Sequence, residues 1–191
     1  MLPSYIIYLS LPVNFFAYFS YIKSIFYGQT KPNLVSWFIW MLAPFLATFF
    51  QIKAGAGLSA LPVFLAGFGP FVIILISIFN KNSYWKLGIL DFICGVLALI
   101  SLLLYVSTQN LSISILFAIL SDGLAAVPTL IKTWKFPETE TAGPYFAGLF
   151  GNVLGLLIIK NWIFTIYSFG IYNIAINIAL MFPIYRKKIF K

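Results

Sequence analysis

The sequence predicts an all-α integral membrane protein of seven transmembrane helices, arranged as two parallel three-helix repeats joined by a linker helix. Three observations carry this prediction. Of 191 residues, 62% are hydrophobic and 8% charged, too little polar surface to cover a water-soluble core. The apolar residues fall in long continuous runs and not in short alternating segments, so helices rather than a barrel must satisfy the backbone in lipid. The 12 cations are divided very unevenly between alternate loops.

A hydrocarbon core ~30 Å thick takes about 20 helical residues to cross. Runs of that order cover 5–22, 34–52, 58–79, 87–106, 111–131, 143–159 and 162–184. The opening run has no cationic leader and no small-x-small site behind it, and reads as a retained first helix. Lys23 and Lys31 follow the first run, Lys53 the second, and Lys81 and Lys86 the third. The fourth run has no charge behind it. Lys132 and Lys135 follow the fifth, Lys160 the sixth, and Arg186, Lys187, Lys188 and Lys191 the seventh. Between the last two runs only Lys160-Asn161 intervenes, yet 143–184 is far too long for one crossing. Counted on alternate sides, ten cations face two. By the positive-inside rule the ten-cation side is cytoplasmic, with the amino terminus outside and the carboxyl terminus inside. The compact loops fit a bacterial inner membrane. Trp37, Trp40, Trp85, Trp134 and Trp162 fall near predicted interfaces and read as anchors.

The net charge of +8 would raise nucleic acid as a partner of a soluble chain, but here the topology accounts for it and nucleic acid is excluded. With no His and a single cysteine, Cys94, a transition-metal site has almost no ligands, and no cofactor is expected. The partners implied are the lipid bilayer and a small polar solute, with a homo-oligomer left open.

An internal repeat supports the helix count. Lys31-Pro32-Asn33-Leu34-Val35-Ser36 parallels Phe136-Pro137-Glu138-Thr139-Glu140-Thr141, each with a hydroxyl four positions after a proline, at an offset of 105. Lys53 and Lys160 (offset 107) and Lys81 and Arg186 (offset 105) nearly share it. The chain therefore divides into a first triple, 1–82, a linker segment, 83–110, and a second triple with its basic tail, 111–191. Three helices reverse direction, so the extra crossing restores orientation and makes the repeats parallel. Parallel repeats of this kind occur among transporters, with a solute site near mid-membrane where the halves meet.

The segments YIKSIFYGQTKPNLVSWFIW (21–40) and DGLAAVPTLIKTWKFPETETAGPY (122–145) resemble the two repeat signatures of the PQ-loop superfamily, which includes the SWEET sugar transporters and the lysosomal cystine exporter. The resemblance covers nearly the whole chain and implies a small-solute transporter of 3+1+3 layout. The family's Pro-Gln pair lies near the cytoplasmic end of the first helix of each triple. Pro128-Thr129 takes that place in the second half, nine residues before Pro137; nine before Pro32 stands Lys23. The resemblance marks Pro128, Thr129, Pro32 and Pro137 as its hinge and motif positions. SWEET-like sugar sites are associated with asparagines on the third helix of each triple; here the seventh run has Asn173 and Asn177, and the third run none.

Among residues that can carry function, Asp122 stands first. It lies about eleven residues into the fifth run, near mid-membrane. A carboxylate there costs ~2.5–3.5 kcal/mol on insertion scales, so it faces a cavity or partner, or is protonated. Such a group can take and release a proton in a transport cycle; alternatively it bonds a neighbouring helix as structural glue. Asp91, one turn into the fourth run, reads as structural. Asn14, Asn152, Asn173 and Asn177 are polar positions within helices, and Asn173 and Asn177, four apart, share a face. They contact a polar solute or make interhelical hydrogen bonds worth ~0.6 kcal/mol each. Ala147, Gly151 and Gly155 form a stripe that allows close packing, and Pro44, Pro62 and Pro70 bend their helices. Glu138 and Glu140 follow Pro137 and read as helix caps. The leading expectation is a transporter coupled or gated by Asp122, possible proton coupling included. The rivals are a non-transporting receptor or helper subunit of the same fold and, least supported, an intramembrane enzyme.

Overall fold

The computed structural model describes residues 2–79, 86–108 and 110–189. Lys81, Trp85 and Lys191, to which the topology argument assigns roles, lie outside the described residues, as do the side chains of Lys187 and Lys188. Among the described residues there are seven α-helices and no strand. They are α1 (Ser10–Phe26), α2 (Leu34–Lys53), α3 (Leu61–Phe79), α4 (Ile89–Ser107), α5 (Leu111–Lys135), α6 (Gly143–Leu157) and α7 (Phe164–Ile189). Short 3-10 turns at Ser4–Leu9 and Gly57–Ala60 lead into α1 and α3, and a third, Pro137–Thr139, lies between α5 and α6.

Local chemistry explains the helix starts. Asn33 caps α2 by accepting from the amides of Val35 (3.1 Å) and Ser36 (3.3 Å). Asn110 caps α5 in the same way through Ser112 (2.9 Å) and Ile113 (3.2 Å). At the head of α4, Asp91 accepts the Gly88 amide at 2.6 Å and also the side-chain amide of Asn33, so one carboxylate ties two helix ends together. Its structural role is thereby clear.

The residue distribution is inverted relative to a soluble protein. Phe79 and Ile89 are 87% and 82% exposed, while Lys132 and Asp122 are 2% and 5% exposed. Apolar side chains outside and polar ones inside is the pattern lipid demands. Among the described residues, five segments are long and apolar enough to cross a membrane: Ser4–Phe26, Leu34–Lys53, Gly57–Phe79, Leu111–Lys135 and Phe164–Arg186. The chain is a multi-pass helical membrane protein. The apolar helix α6 is shorter; its 15 residues span only ~22 Å.

Several expected boundaries move. The two-residue joint predicted between the last two runs is in fact 158–163, because α6 tightens at its end. Ile158 and Ile159 donate to carbonyls three residues back, both at 3.3 Å, and tuck inside. α5 continues to Lys135 and α7 to Ile189, past the apolar runs, with cations in their last turns.

Packing follows a regular scheme. α3 contacts both α1 and α2, and α7 contacts both α5 and α6; across the molecule α1 packs on α6 and α2 on α5. Small residues permit this approach: Ala43, Ala47, Ala118, Ala125 and Ala126 are completely buried. On α6, Pro62 sits so close that a Cβ at Gly155 would meet its Cγ at 3.1 Å, which accounts for the small-residue stripe.

One end of the bundle is held by a buried ion pair. Lys132 Nζ lies 2.5 Å from Glu140 Oε2, with both side chains essentially inaccessible. Lys132 also donates to the Lys31 carbonyl (2.6 Å), and Tyr21 donates its hydroxyl to Glu140 Oε1 (2.6 Å). Glu140 is therefore an ion-pair partner and not a helix cap, and Lys132 is not a loop cation but part of the last turns of α5. The two loops also touch directly: the Lys31 amide donates to the Thr139 carbonyl (3.0 Å), and the Thr30 and Thr141 hydroxyls are 2.6 Å apart. Pro32 and Pro137 are buried in these loops, outside any α-helix.

Removing one member of such a pair leaves a bare charge in a dry site, at a cost of about 3 kcal/mol or more. Glu140→Gln is expected to lower the melting temperature in mild detergent, and Lys132→Met/Glu140→Gln to recover much of the loss. A single variant melting like the unmodified chain would show that the pair does not hold this end.

Candidate functional site

Between the two groups of helices lies a cavity with about 50 Å³ of space for the centres of water-sized molecules, room for a few waters. Its walls include Asn14 and Tyr18 from α1, Trp37 and Trp40 from α2, Asp122 from α5, Tyr145 from α6, and Asn173 and Asn177 from α7. Four of the polar residues singled out in the sequence, on three helices, thus meet at one space. Asn152 does not join them. It donates to the Gly148 carbonyl one turn back (2.8 Å), and its carboxamide oxygen lies toward Gly170 on α7.

Asp122 Oδ2 accepts the hydroxyl of Tyr172 at 2.8 Å, and the Asp122 carbonyl accepts the indole N–H of Trp40 at 3.2 Å. The carboxyl is therefore oriented from α7 and its backbone from α2. The Tyr172 ring packs beside Gly123, where a Cβ would lie in ordinary contact, 3.5 Å from the hydroxyl oxygen. Asn14 donates to the Ser10 carbonyl (2.9 Å) and Asn177 to the Asn173 carbonyl (2.7 Å), while Asn173 donates to Phe169 (3.4 Å). Each spends an N–H on its own helix. Gly148 admits the Asn177 carboxamide, since a Cβ at that position would stand 2.8 Å from Nδ2.

The aromatic residues form a connected run. Ring centroids are 5.1 Å apart for Tyr21 and Trp37, 5.5 Å for Trp37 and Trp40, and 6.2 Å for Trp40 and Tyr145, the last two pairs near perpendicular. Trp37 and Trp40, expected as interfacial anchors, are instead buried at 1% and 7% exposure in the cavity wall. Trp134 and Trp162 are exposed as an anchor would be, and the Arg186 guanidinium lies over the Trp134 ring at 4.1 Å. The indole N–H of Trp37 and the hydroxyl of Tyr145 have no hydrogen-bond partner in good geometry, although Tyr145 is close enough to Glu140 to feel its charge. Sequence reasoning missed Tyr18, Trp37, Trp40, Tyr145 and Tyr172. The one signal available was that Trp37, Trp40 and Tyr145 sit within the two repeated segments.

The hinge and motif positions lie apart from the cavity, toward the ion-paired end. Thr129, one residue after Pro128 within α5, donates to the Ser36 hydroxyl at 2.8 Å and so links α5 to α2. Among the described residues no group of His, Cys, Asp and Glu is arranged to hold a metal.

In a Cys94→Ala background, Asn173→Cys and Asn177→Cys are expected to react with a small water-soluble thiol reagent, and Asn152→Cys to resist it. Equal reaction at all three would mean that no distinct cavity exists. No family model, no curated protein and no solved structure matches the chain.

Proposed function

We propose that the chain is a seven-span transporter of PQ-loop type that moves a small polar solute through the cavity between two parallel triples. The observation that carries this reading is the convergence of Asp122 with Asn14, Asn173 and Asn177 on one space between the halves. Polar groups inside a membrane bundle are costly, and the functional reading is the default for an intramembrane carboxylate.

The packing supports the repeat. Exchanging α1 with α5, α2 with α6 and α3 with α7 turns the α1–α6 contact into the α5–α2 contact, and the α3 contacts into those of α7. Two hydroxyl pairs obey the same exchange. Thr129 and Ser36 are 2.8 Å apart, and Ser24 and Thr141, each related to one of them by the offset of 105, are 3.4 Å apart. Seven crossings, with α4 as linker and α6 as the short span, place the ten-cation side in the cytoplasm. The ion-paired loops then close the cytoplasmic end.

With room for only a few waters, the cavity in this conformation is too narrow for a sugar or an amino acid. Solute entry requires the helices to part, and the prolines inside α2, α3, α5 and α7 (Pro44, Pro70, Pro128 and Pro183) are points where helical hydrogen bonds are already missing. Asp122, released from Tyr172, would carry the proton or respond to the solute.

Uptake of labelled sugars and amino acids into proteoliposomes, with and without a pH gradient, tests the reading. The expected result is uptake of at least one solute, with its gradient-driven part lost in Asp122→Asn. Unchanged gradient dependence in that variant would remove the proton role from Asp122.

A further inference from the structure

We propose that the central cavity takes a small organic ammonium ion bearing an acceptor oxygen. The inference rests on the transport reading for the route across the membrane, and on the cavity's own chemistry for the ligand. Asp122 is the charged residue among those lining the space. Lys132, buried at the ion-paired end, is held in its pair with Glu140 and on the Lys31 carbonyl. The carboxylate receives one hydrogen bond from Tyr172 and retains further acceptor capacity.

The rest of the wall offers acceptors and π faces. Asn14, Asn173 and Asn177 commit amide hydrogens to carbonyls of their own helices. Asn173 Oδ1 already accepts from Asn177 Nδ2 (3.4 Å), so the carboxamide oxygens of Asn14 and Asn177 are the acceptors left to suit an N–H donor. Trp37, Trp40 and Tyr145 surround the same space with mutually steep rings, the arrangement that attracts an ammonium group through the ring quadrupole. An anion would meet Asp122 and these π faces and be repelled by both. The buried Trp37 indole N–H approaches the Tyr21 hydroxyl but has no partner in good geometry, and so supplies the complementary requirement: an oxygen acceptor on the same small molecule. A neutral sugar would leave the carboxylate without a counter-charge.

The test uses the detergent-purified full chain, with tryptophan emission and melting temperature read against ethanolammonium chloride, glucose and sodium acetate. Ethanolammonium is expected to give a saturable change that glucose and acetate do not. Asp122→Asn, checked for an unaltered elution profile, should weaken that response roughly tenfold or more, as loss of the opposing charge requires. Trp40→Phe, which keeps an aromatic face, should retain most of the affinity, and Trp40→Leu should lose about fivefold. A saturable response to glucose or acetate with none to ethanolammonium overturns the inference. So does an ethanolammonium response that Asp122→Asn leaves undiminished. Uptake by the same preparation separates the two readings. Binding of ethanolammonium without uptake of any solute overturns transport and retains the ligand class; glucose uptake unslowed by ethanolammonium overturns the ligand class and retains transport.

Discussion

A charged lysine cannot stay inside a dry helical bundle unless the fold brings an acid and further oxygen acceptors to it. Lys132 obtains them from Glu140 and from the Lys31 carbonyl, and Glu140 in turn is held by Tyr21. These residues belong to the end of α5, the 136–142 loop, α1 and the 27–33 loop. One interaction therefore gathers four parts of the chain at one end. Around it lie the Lys31–Thr139 backbone bond and the contacts of the Ser24 and Thr30 hydroxyls with Thr141, all joining the early part of the chain to the late part. Apolar contact alone would hold the halves weakly here, because lipid is as apolar as the helix surfaces.

The same constraint leads from this closed end to the cavity. Tyr21, bound to Glu140, packs on Trp37; Trp37 packs on Trp40; and Trp40 donates to the Asp122 carbonyl. A continuous path of packed and hydrogen-bonded side chains thus joins the ion pair to the backbone of Asp122. Tyr172 stands on the far side of Asp122, so α2 and α7 hold the residue between them.

Much of this was legible in the sequence, for a physical reason that also sets the limit. A polar residue in the middle of an apolar run is expensive, so Asp122, Asn14, Asn173 and Asn177 announced themselves by their surroundings. Asn152 satisfied the same criterion and yet faces α7, because sequence shows that a residue is polar but not toward which neighbour it turns. Trp37 and Trp40 were misread because an aromatic near a predicted helix end looks alike whether it meets headgroups or a cavity. Tyr172 acquires its importance only through the position of α5, fifty residues earlier in the chain. The ends of α5 and α7 run past their apolar segments, and in α5 Lys132 meets Glu140 eight residues on, around a turn. The hydroxyl pairs of the repeat were half visible: Ser36 and Thr141 stood out, but Ser24 and Thr129 gained meaning as their partners only in three dimensions.

Two like-oriented triples underlie every part of this account, and their orientation is open to direct measurement. Single cysteines at Lys53, Lys160, Lys31 and Lys135, all exposed positions, are introduced into a Cys94→Ala chain and labelled with a membrane-impermeant thiol reagent in sealed vesicles of known orientation. Parallel triples require Lys53→Cys and Lys160→Cys to be modified from one face and Lys31→Cys and Lys135→Cys from the other. Modification of Lys53→Cys and Lys160→Cys from opposite faces would contradict the arrangement.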